Sequence, residues 1–264
     1  MTQPKPWHSV SFWRKTIFVL VVLVAWQLSC SLGAVPKILL PSPVDVLAAL
    51  SKAFSSEQML EVLSYSLSLI TVAMALGFLL ALICSMLAIL NASVRDIYNL
   101  ILTVMDPIPS IAILPLAILW FGTGLETIVV IIIHSVIWPV SRNFIDGFSA
   151  VPKIYVEIGH NFGFKPYRMF KEIYLPAAMP YLISGIKVGW ARAWRTLISA
   201  EMIFGATGAL GGLGWFIFKK RYQLETDGVF ATLLIIVIIG LVVEYGLLQT
   251  LERKTIKKWG MVRS

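Results

Sequence analysis

The chain has 264 residues, 58% of them apolar and only 14% charged, with a mean hydropathy of +0.83. That balance excludes a water-soluble globule and describes an all-α polytopic membrane protein. Lys and Arg outnumber Asp and Glu by 22 to 14, a net charge of +8, and in such a chain the excess reports membrane topology, with no nucleic acid implied.

Arg14 and Lys15 precede an apolar run at 16–35 that is longer than a signal-peptide core and lacks a small-x-small cleavage site. Gln27-Leu28-Ser29-Cys30 departs from a lipoprotein box, because Gln27 stands where an aliphatic residue is expected. The run is therefore expected to be a retained first span. A bilayer core takes about 20 apolar residues per helix, and five more spans are expected at 64–90, 97–121, 125–140, 178–204 and 229–251, about six in all. The second is the cleanest, with no charge between Glu61 and Arg95. The third is interrupted by Pro107, Pro109 and Pro115, which free backbone carbonyls and suit either a gated pathway or a packing kink. The fourth is short and carries His134 and Pro139.

Cys30 and Cys84 lie in apolar runs and read as free thiols. His8, His134 and His160 are scattered and no paired-Asp motif occurs, so neither a catalytic set nor a metal site is expected and the chain does not read as an enzyme.

Between the fourth and fifth spans lies a polar stretch, Glu157 to Pro176. Pro152 can open a helix, Gly163 can turn the chain, Pro166 can start a second helix and Leu175-Pro176 can close it, giving a compact helix-turn-helix. Ile154, Ile158, Phe162, Phe164, Tyr167 and Phe170 could fill a groove in a partner, with Glu157, Lys165, Arg168 and Lys171 at its rim. The alternative is an amphipathic loop lying on lipid headgroups.

The fifth span carries Lys187, Arg192, Arg195 and Glu201. Ionisable groups in a span are costly and face a partner or a water-filled path. Lys187 is near the span's end and can snorkel. Arg192 and Arg195 share a helical face, and a guanidinium fork suits sulfonate, carboxylate or nitrate oxygens. An anion path is one reading; an internal pair with Asp106, Glu201 or Glu244 is the other. The glycine-rich run at 205–214 lacks the Lys of a phosphate loop and reads as an outer link, followed by a short interfacial helix from Trp215.

With the N-terminus inside, Arg14, Lys15, Arg95, Arg142, Lys153, Lys165, Arg168, Lys171 and the basic tail at 252–264 face the cytoplasm, while the outer side holds Lys37, Lys52 and Lys219 to Arg221. The asymmetry predicts both termini cytoplasmic, with 1–15 an inner segment and the polar loop at 150–176 also inside.

Glu157-x-x-x-x-x-Gly163, then nine residues, then Ile173-x-Leu175-Pro176 resembles the EAA loop of bacterial ABC importer permeases, with Ile158 and Gly159 replacing its two alanines. Leu40-Pro41-Ser42-Pro43, Ile108-Pro109, Leu114-Pro115-Leu116, Leu119-Trp120-Phe121-Gly122, Ala200-Glu201-Met202, Gly212-Leu213-Gly214 and Leu251-Glu252-Arg253 occur in the order found in the nitrate/sulfonate/taurine branch. Asp106 departs from that branch, where Arg is common before the prolines.

The resemblance implies a type I, MetI-like permease domain at 16–251 in a bacterial inner membrane, working as a homodimer with two ABC ATPase subunits and a periplasmic or extracellular solute-binding protein. Glu157, Gly163, Phe164, Ile173, Leu175 and Pro176 would couple to the ATPase, and Asp106, Arg192, Arg195 and Glu201 would belong to the path of a small sulfonate-, taurine- or nitrate-like anion. No G-x-x-x-x-G-K-[ST] motif occurs, so no cofactor is expected in this chain, ATP and Mg being bound by the partner ATPase. An ion-coupled secondary transporter is the alternative, with Asp106 and Glu244 as its coupling acids, although no inverted repeat is found.

Overall fold

The computed structural model describes residues 7–33, 35–205, 211–253 and 255, and among them all regular structure is helical. Residues 254 and 256–264 of the expected basic tail, and 206–210 of the glycine-rich link, lie outside the described residues. The chain forms two compact units, residues 1–60 with 216–235, and residues 61–215 with 236–264.

In the first unit, α1 (Trp7–Ser31) contributes a span over Trp13–Ser31 in which no residue is fully buried within the chain, leaving most of its side chains for lipid. Its far end is tied down by Trp26, whose Nε1 donates to the Pro41 carbonyl at 3.0 Å and whose ring lies 5.9 Å from Phe230. An extra-membrane helix, α2 (Pro43–Ser56), was not expected from hydropathy. It begins at a reciprocal capping box, in which the Ser42 hydroxyl accepts from Asp45 N–H and the Asp45 carboxylate accepts from Ser42 N–H. The Ser42 hydroxyl also donates to that carboxylate, and these bonds hold it below the usual aspartate range.

The second unit is organised by α6 (Leu125–Ser149). Most of this helix is buried, and it packs most extensively against α9 (Leu175–Phe204). Glycines permit the approach: a Cβ on Gly147 would lie 2.7 Å from Tyr181 Cβ, and one on Gly189 would lie 3.0 Å from Val140 Cγ2. The expected fourth span at 125–140 thus continues nine residues further, to Ser149. Pro139 removes one ladder hydrogen bond, but the burial of Val140, Phe144, Ile145 and Phe148 holds the helix together beyond it. On its other side α6 meets α3 (Met59–Leu90) and α4 (Ala92–Met105) around Ala88, Tyr98, Leu102 and Ile145. Tyr98 and Ser141 share a buried hydroxyl hydrogen bond of 2.7 Å, and Ser85 Oγ donates to the Ser141 carbonyl at 3.4 Å.

Trp13–Ser31, Met59–Leu90, Leu125–Ser149 and Thr226–Glu252 are each long and apolar enough to cross a membrane. The expected third span is not one helix. After α4 the chain bends by 90°, passes through a 3-10 turn at Ser110–Ile113 and resumes as α5 (Leu114–Phe121). Pro107 and Pro109 supply no N–H at the bend, and Pro115 sits in the first turn of α5, where none is needed. The expected fifth span, α9, has 30 residues, about 45 Å of helix at ~1.5 Å per residue, but with Lys187, Arg192, Arg195 and Glu201 along that length it is long enough and not apolar enough to count among the membrane-crossing helices.

Beyond α9 come α10 (Leu213–Tyr222), the short helix expected after the glycine-rich link, and α11 (Thr226–Leu241), which widens to π pitch at Val242–Leu248 and ends as α12 (Gln249–Glu252).

Candidate functional site

The polar loop folds as an elbow. Its first arm is α7 (Lys153–Asn161), opened by Pro152, and its second begins with α8 (Pro166–Met169). Between them Gly163 has φ +68°, its N–H donates to the His160 carbonyl at 2.9 Å, and Phe164 N–H donates to the Gly159 carbonyl at 2.9 Å. This pair of bonds is the Schellman turn, and its left-handed residue is why glycine stands at 163. A Cβ there would meet nothing within 4 Å, so it is backbone conformation and not crowding that favours glycine.

Gly159 has a different reason. It is buried, and a Cβ on it would lie 2.6 Å from Met169 Sδ and 2.5 Å from Ile173 Cδ1. The departure from alanine at this position therefore follows from the bulk of Met169 and Ile173 across the elbow.

Leu175-Pro176 does not close the second arm, as the sequence suggested. Helical backbone runs from α8 through Phe170–Tyr174 into α9 without a break. Pro176 cannot donate to the preceding turn, and the helix accommodates it by widening to π pitch, with Leu175 N–H bonded to the Phe170 carbonyl.

Glu157 lies exposed on α7. Phe162 and Tyr167 are each 75% exposed, and Ile154 and Ile158 are also exposed. Phe164 is half-buried under the Arg168 guanidinium, 4.2 Å from its ring centroid. Phe170 turns inward, its ring 5.8 Å from Phe148 of α6, so it anchors the elbow and offers nothing to a partner. Between the arms is a groove of about 570 Å³, lined by Ile158, Phe162, Phe164, Ile173 and Pro176 among others. Leu175 is half-buried just above it.

A second cavity, of about 490 Å³, lies where the third span bends. Asp106 to Ile111 form one wall, and Arg192, Arg195, Thr196 and Ser199 of α9 form another, with Ser135 of α6 between. Arg192 Nη1 donates to Asp106 Oδ1 at 2.7 Å, and Arg142 Nε lies 3.8 Å from Asp106 Oδ2. Of the three internal partners left open for the arginines, Arg192 takes Asp106 and Arg195 takes none of them. Glu244 pairs instead with Lys187 at 3.9 Å, and Glu252 takes Lys187 at 2.5 Å, so this lysine is bridged and does not merely snorkel.

Glu201 does not line this cavity. It is 1% exposed, accepts from the Ser66 hydroxyl at 2.7 Å and from Gly214 N–H at 2.9 Å, while Ser66 Oγ also accepts from Leu213 N–H at 2.9 Å. Gly212 and Gly214 are needed for this clasp, because a Cβ at either would run into Glu201. Ser66 could not have been found from the sequence, since nothing local to it points to a residue 135 positions away.

The basic cluster at Lys219 to Arg221 is only partly a surface feature. Lys219 and Arg221 are exposed, but Lys220 is 5% exposed and bridges Glu57 at 2.7 Å and Glu225 at 2.5 Å. Burial pushes its ammonium pKa down, yet the two carboxylates outweigh that and hold it above the ordinary lysine value; the Lys220 hydrogen bond holds Glu225 below the ordinary glutamate value. No group of His, Cys, Asp and Glu among the described residues could hold a metal ion.

Residues 73–257 match the family described as "Binding-protein-dependent transport system inner membrane component". A "Probable ABC transporter permease protein" of Haemophilus influenzae is 29% identical over 241 residues, covering 91% of this chain and 96% of its own. The taurine transport system permease protein of Escherichia coli is 28% identical over 239 residues, covering 89% and 85%. Among solved structures, the inward-facing methionine ABC transporter superposes with a TM-score of 0.59 at 20% identity, over 72% of this chain and 92% of that one. The helical architecture thus belongs to a MetI-like fold, and the chain is a member of the binding-protein-dependent inner-membrane permease family, the membrane component of an ABC importer.

Proposed function

We propose that this permease conducts a small anion and is driven through the elbow at 150–176 by ATPase subunits that it does not itself contain. The observation that carries the reading is the elbow's shape: a glycine-turned pair of helices presents exposed Ile154, Ile158, Phe162 and Tyr167 around a fixed groove. A lipid surface would ask only for an amphipathic face, whereas a groove with a charged rim suits an inserted protein element. Glu157 would pair with a basic residue of the ATPase, with Gly163, Phe164, Ile173, Leu175 and Pro176 shaping the socket. Nucleotide closure would then rock the spans between inward- and outward-open states.

The anion reading rests on Arg192 and Arg195 lining the cavity at the bend, and on the taurine named for the Escherichia coli relative, which carries a sulfonate. Secondary transport is less well supported, because Asp106 and Glu244, the acids it would use, are engaged by Arg192 and Lys187. The working complex in this reading is two copies of the chain, two ATPases that bind ATP and Mg, and an external solute-binding protein. The chain itself holds no cofactor. Both termini face the cytoplasm, so that 1–15 and 252–264 flank a permease domain at 16–251.

Co-purification from membranes with the cognate ATPase tests the docking role. Glu157→Ala combined with Phe162→Ala, and separately Gly163→Pro, are expected to lower ATPase recovery at least ten-fold while the purified permease keeps its helical circular dichroism. Undiminished recovery in both variants would overturn it.

A further inference from the structure

Three charged side chains line the cavity at the bend, and they do not cancel: Asp106 contributes one negative charge, Arg192 and Arg195 two positive. Arg192 is held by Asp106 at 2.7 Å. Arg195 donates Nε to the Ala191 carbonyl of its own helix at 2.9 Å and has no carboxylate within ion-pair distance among the described residues. Arg142 reaches the other Asp106 oxygen at 3.8 Å, but it is not part of the cavity wall.

Building on the anion-pathway reading above, we propose that Asp106 is a specificity-determining residue. It occupies Arg192, leaves Arg195 as the single free guanidinium, and so fits the cavity to a substrate with one singly charged oxyanion group, of the sulfonate or carboxylate class.

The physical argument is charge matching. A singly charged oxyanion meets one planar guanidinium fork, and the hydroxyls of Thr196 and Ser199 offer uncharged donors for its remaining oxygens, while the Ser135 hydroxyl already donates to the Ile132 carbonyl at 2.7 Å. A dianion such as sulfate needs a second cation. The candidate is Arg192, and recruiting it means stripping a charge-assisted hydrogen bond and leaving the Asp106 carboxylate facing the incoming negative charge. Asp106 therefore rejects the wrong ligand by repulsion as well as by withholding a partner. The same reasoning explains why an acid can stand in an anion path: it lowers the positive charge on offer from two to one.

The test uses the purified full-length chain in lipid nanodiscs, with methanesulfonate, sulfate and neutral dimethyl sulfone titrated by calorimetry at pH 7. The wild-type chain is expected to bind methanesulfonate at least ten-fold more tightly than sulfate, and not to bind the sulfone. Asp106→Asn should shift the sulfate-to-methanesulfonate affinity ratio at least ten-fold toward sulfate, and Asp106→Asn with Arg192→Gln should return it toward the wild-type ratio. Should Asp106→Asn fail to fold, Arg192→Gln alone decides the matter: its neutral lining should weaken methanesulfonate at least ten-fold, and unchanged affinity overturns the proposal. A wild-type chain that prefers methanesulfonate, with an unaltered ratio in Asp106→Asn, overturns the role of Asp106 while leaving the anion pathway standing. Equal wild-type affinities for the two anions do the same. Binding of the sulfone as tightly as of methanesulfonate, unaffected by Arg195→Gln, removes the anion pathway itself.

Discussion

Lys220 is a buried cation on a helix outside the spans, and its two carboxylate partners set how the first unit responds to pH. Its pKa is raised on folding, so its stabilising contribution is complete below the ordinary lysine value of 10.5 and is lost as pH climbs through the higher folded value. Glu225 is lowered, so its contribution is complete above the ordinary 4.5 and is lost as pH falls through the folded value. Thermal unfolding in detergent should thus be flat across the interval between and decline on both sides. Lys220→Met should lower stability by about 2 kcal/mol at pH 7, the scale of hydrogen bonds to a charged group, and should flatten the alkaline limb. An unchanged alkaline limb in that variant would remove Lys220 as its cause. At this scale the sequence is legible where a residue's role is local. Gly163 could be assigned from its spacing, because a left-handed turn between two helices needs no distant partner. Asp106 could be singled out but not paired, since three carboxylates were within imaginable reach of the arginines. Gly159 looked like a drift from alanine until Met169 and Ile173 were seen against it.

At the scale of elements, the Glu201 clasp joins the end of α9, Ser66 of α3 and the first residues of α10 through three hydrogen bonds. Replacing Glu201 with Ala would orphan the Gly214 N–H and the Ser66 hydroxyl in a buried place, at a cost of about 1–3 kcal/mol for each unsatisfied group. Glu201→Gln keeps an acceptor and should recover more than half of the loss. Protease sensitivity of the 205–214 segment in membranes measures the effect, and equal cleavage of wild type and Glu201→Ala would show that the clasp does not hold it. Helix existence was legible from hydropathy, and helix ends were not. The α2 helix lacks a long apolar run, yet its Ser42-Pro43-Val44-Asp45 start is a capping signal that could have been read. Pro139 does not end α6, and Pro176 does not close the elbow as its sequence position suggests, because packing in one case and a π-pitch turn in the other absorb the missing donor. Pro107 and Pro109 do break their span, being two residues apart with no buried helix to bridge them.

For the whole molecule, the topology proposed from the arrangement of charges puts the elbow inside and the turn between α5 and α6 outside. In a chain with Cys30 and Cys84 replaced by Ala, a single cysteine at exposed Thr123 should react with a membrane-impermeant maleimide in intact cells, and one at exposed Phe162 only after permeabilisation. Reaction at Phe162 in intact cells would reverse the topology and the docking role with it. The hydrophobic segments were legible because a bilayer imposes one length on them, but against the six expected, four helices among the described residues are long and apolar enough to cross, or five if the bent pair at 92–121 is one span. Which of them is buried was not, because apolarity does not rank them: α6, the most buried, is less apolar than Met59–Leu90 and Thr226–Glu252. One further consequence belongs to the helix that begins at Pro166 and ends at Phe204. It is one continuous helical backbone on the order of 55 Å long, with the groove between the elbow's arms near one end and Arg192 and Arg195 toward the other. The π-pitch turn at Phe170–Tyr174 and Pro180 are the places where it can bend. If the elbow is the docking element proposed above, a tilt imposed there would reach the guanidinium groups through unbroken helix, with no loop between motor and cargo to absorb it.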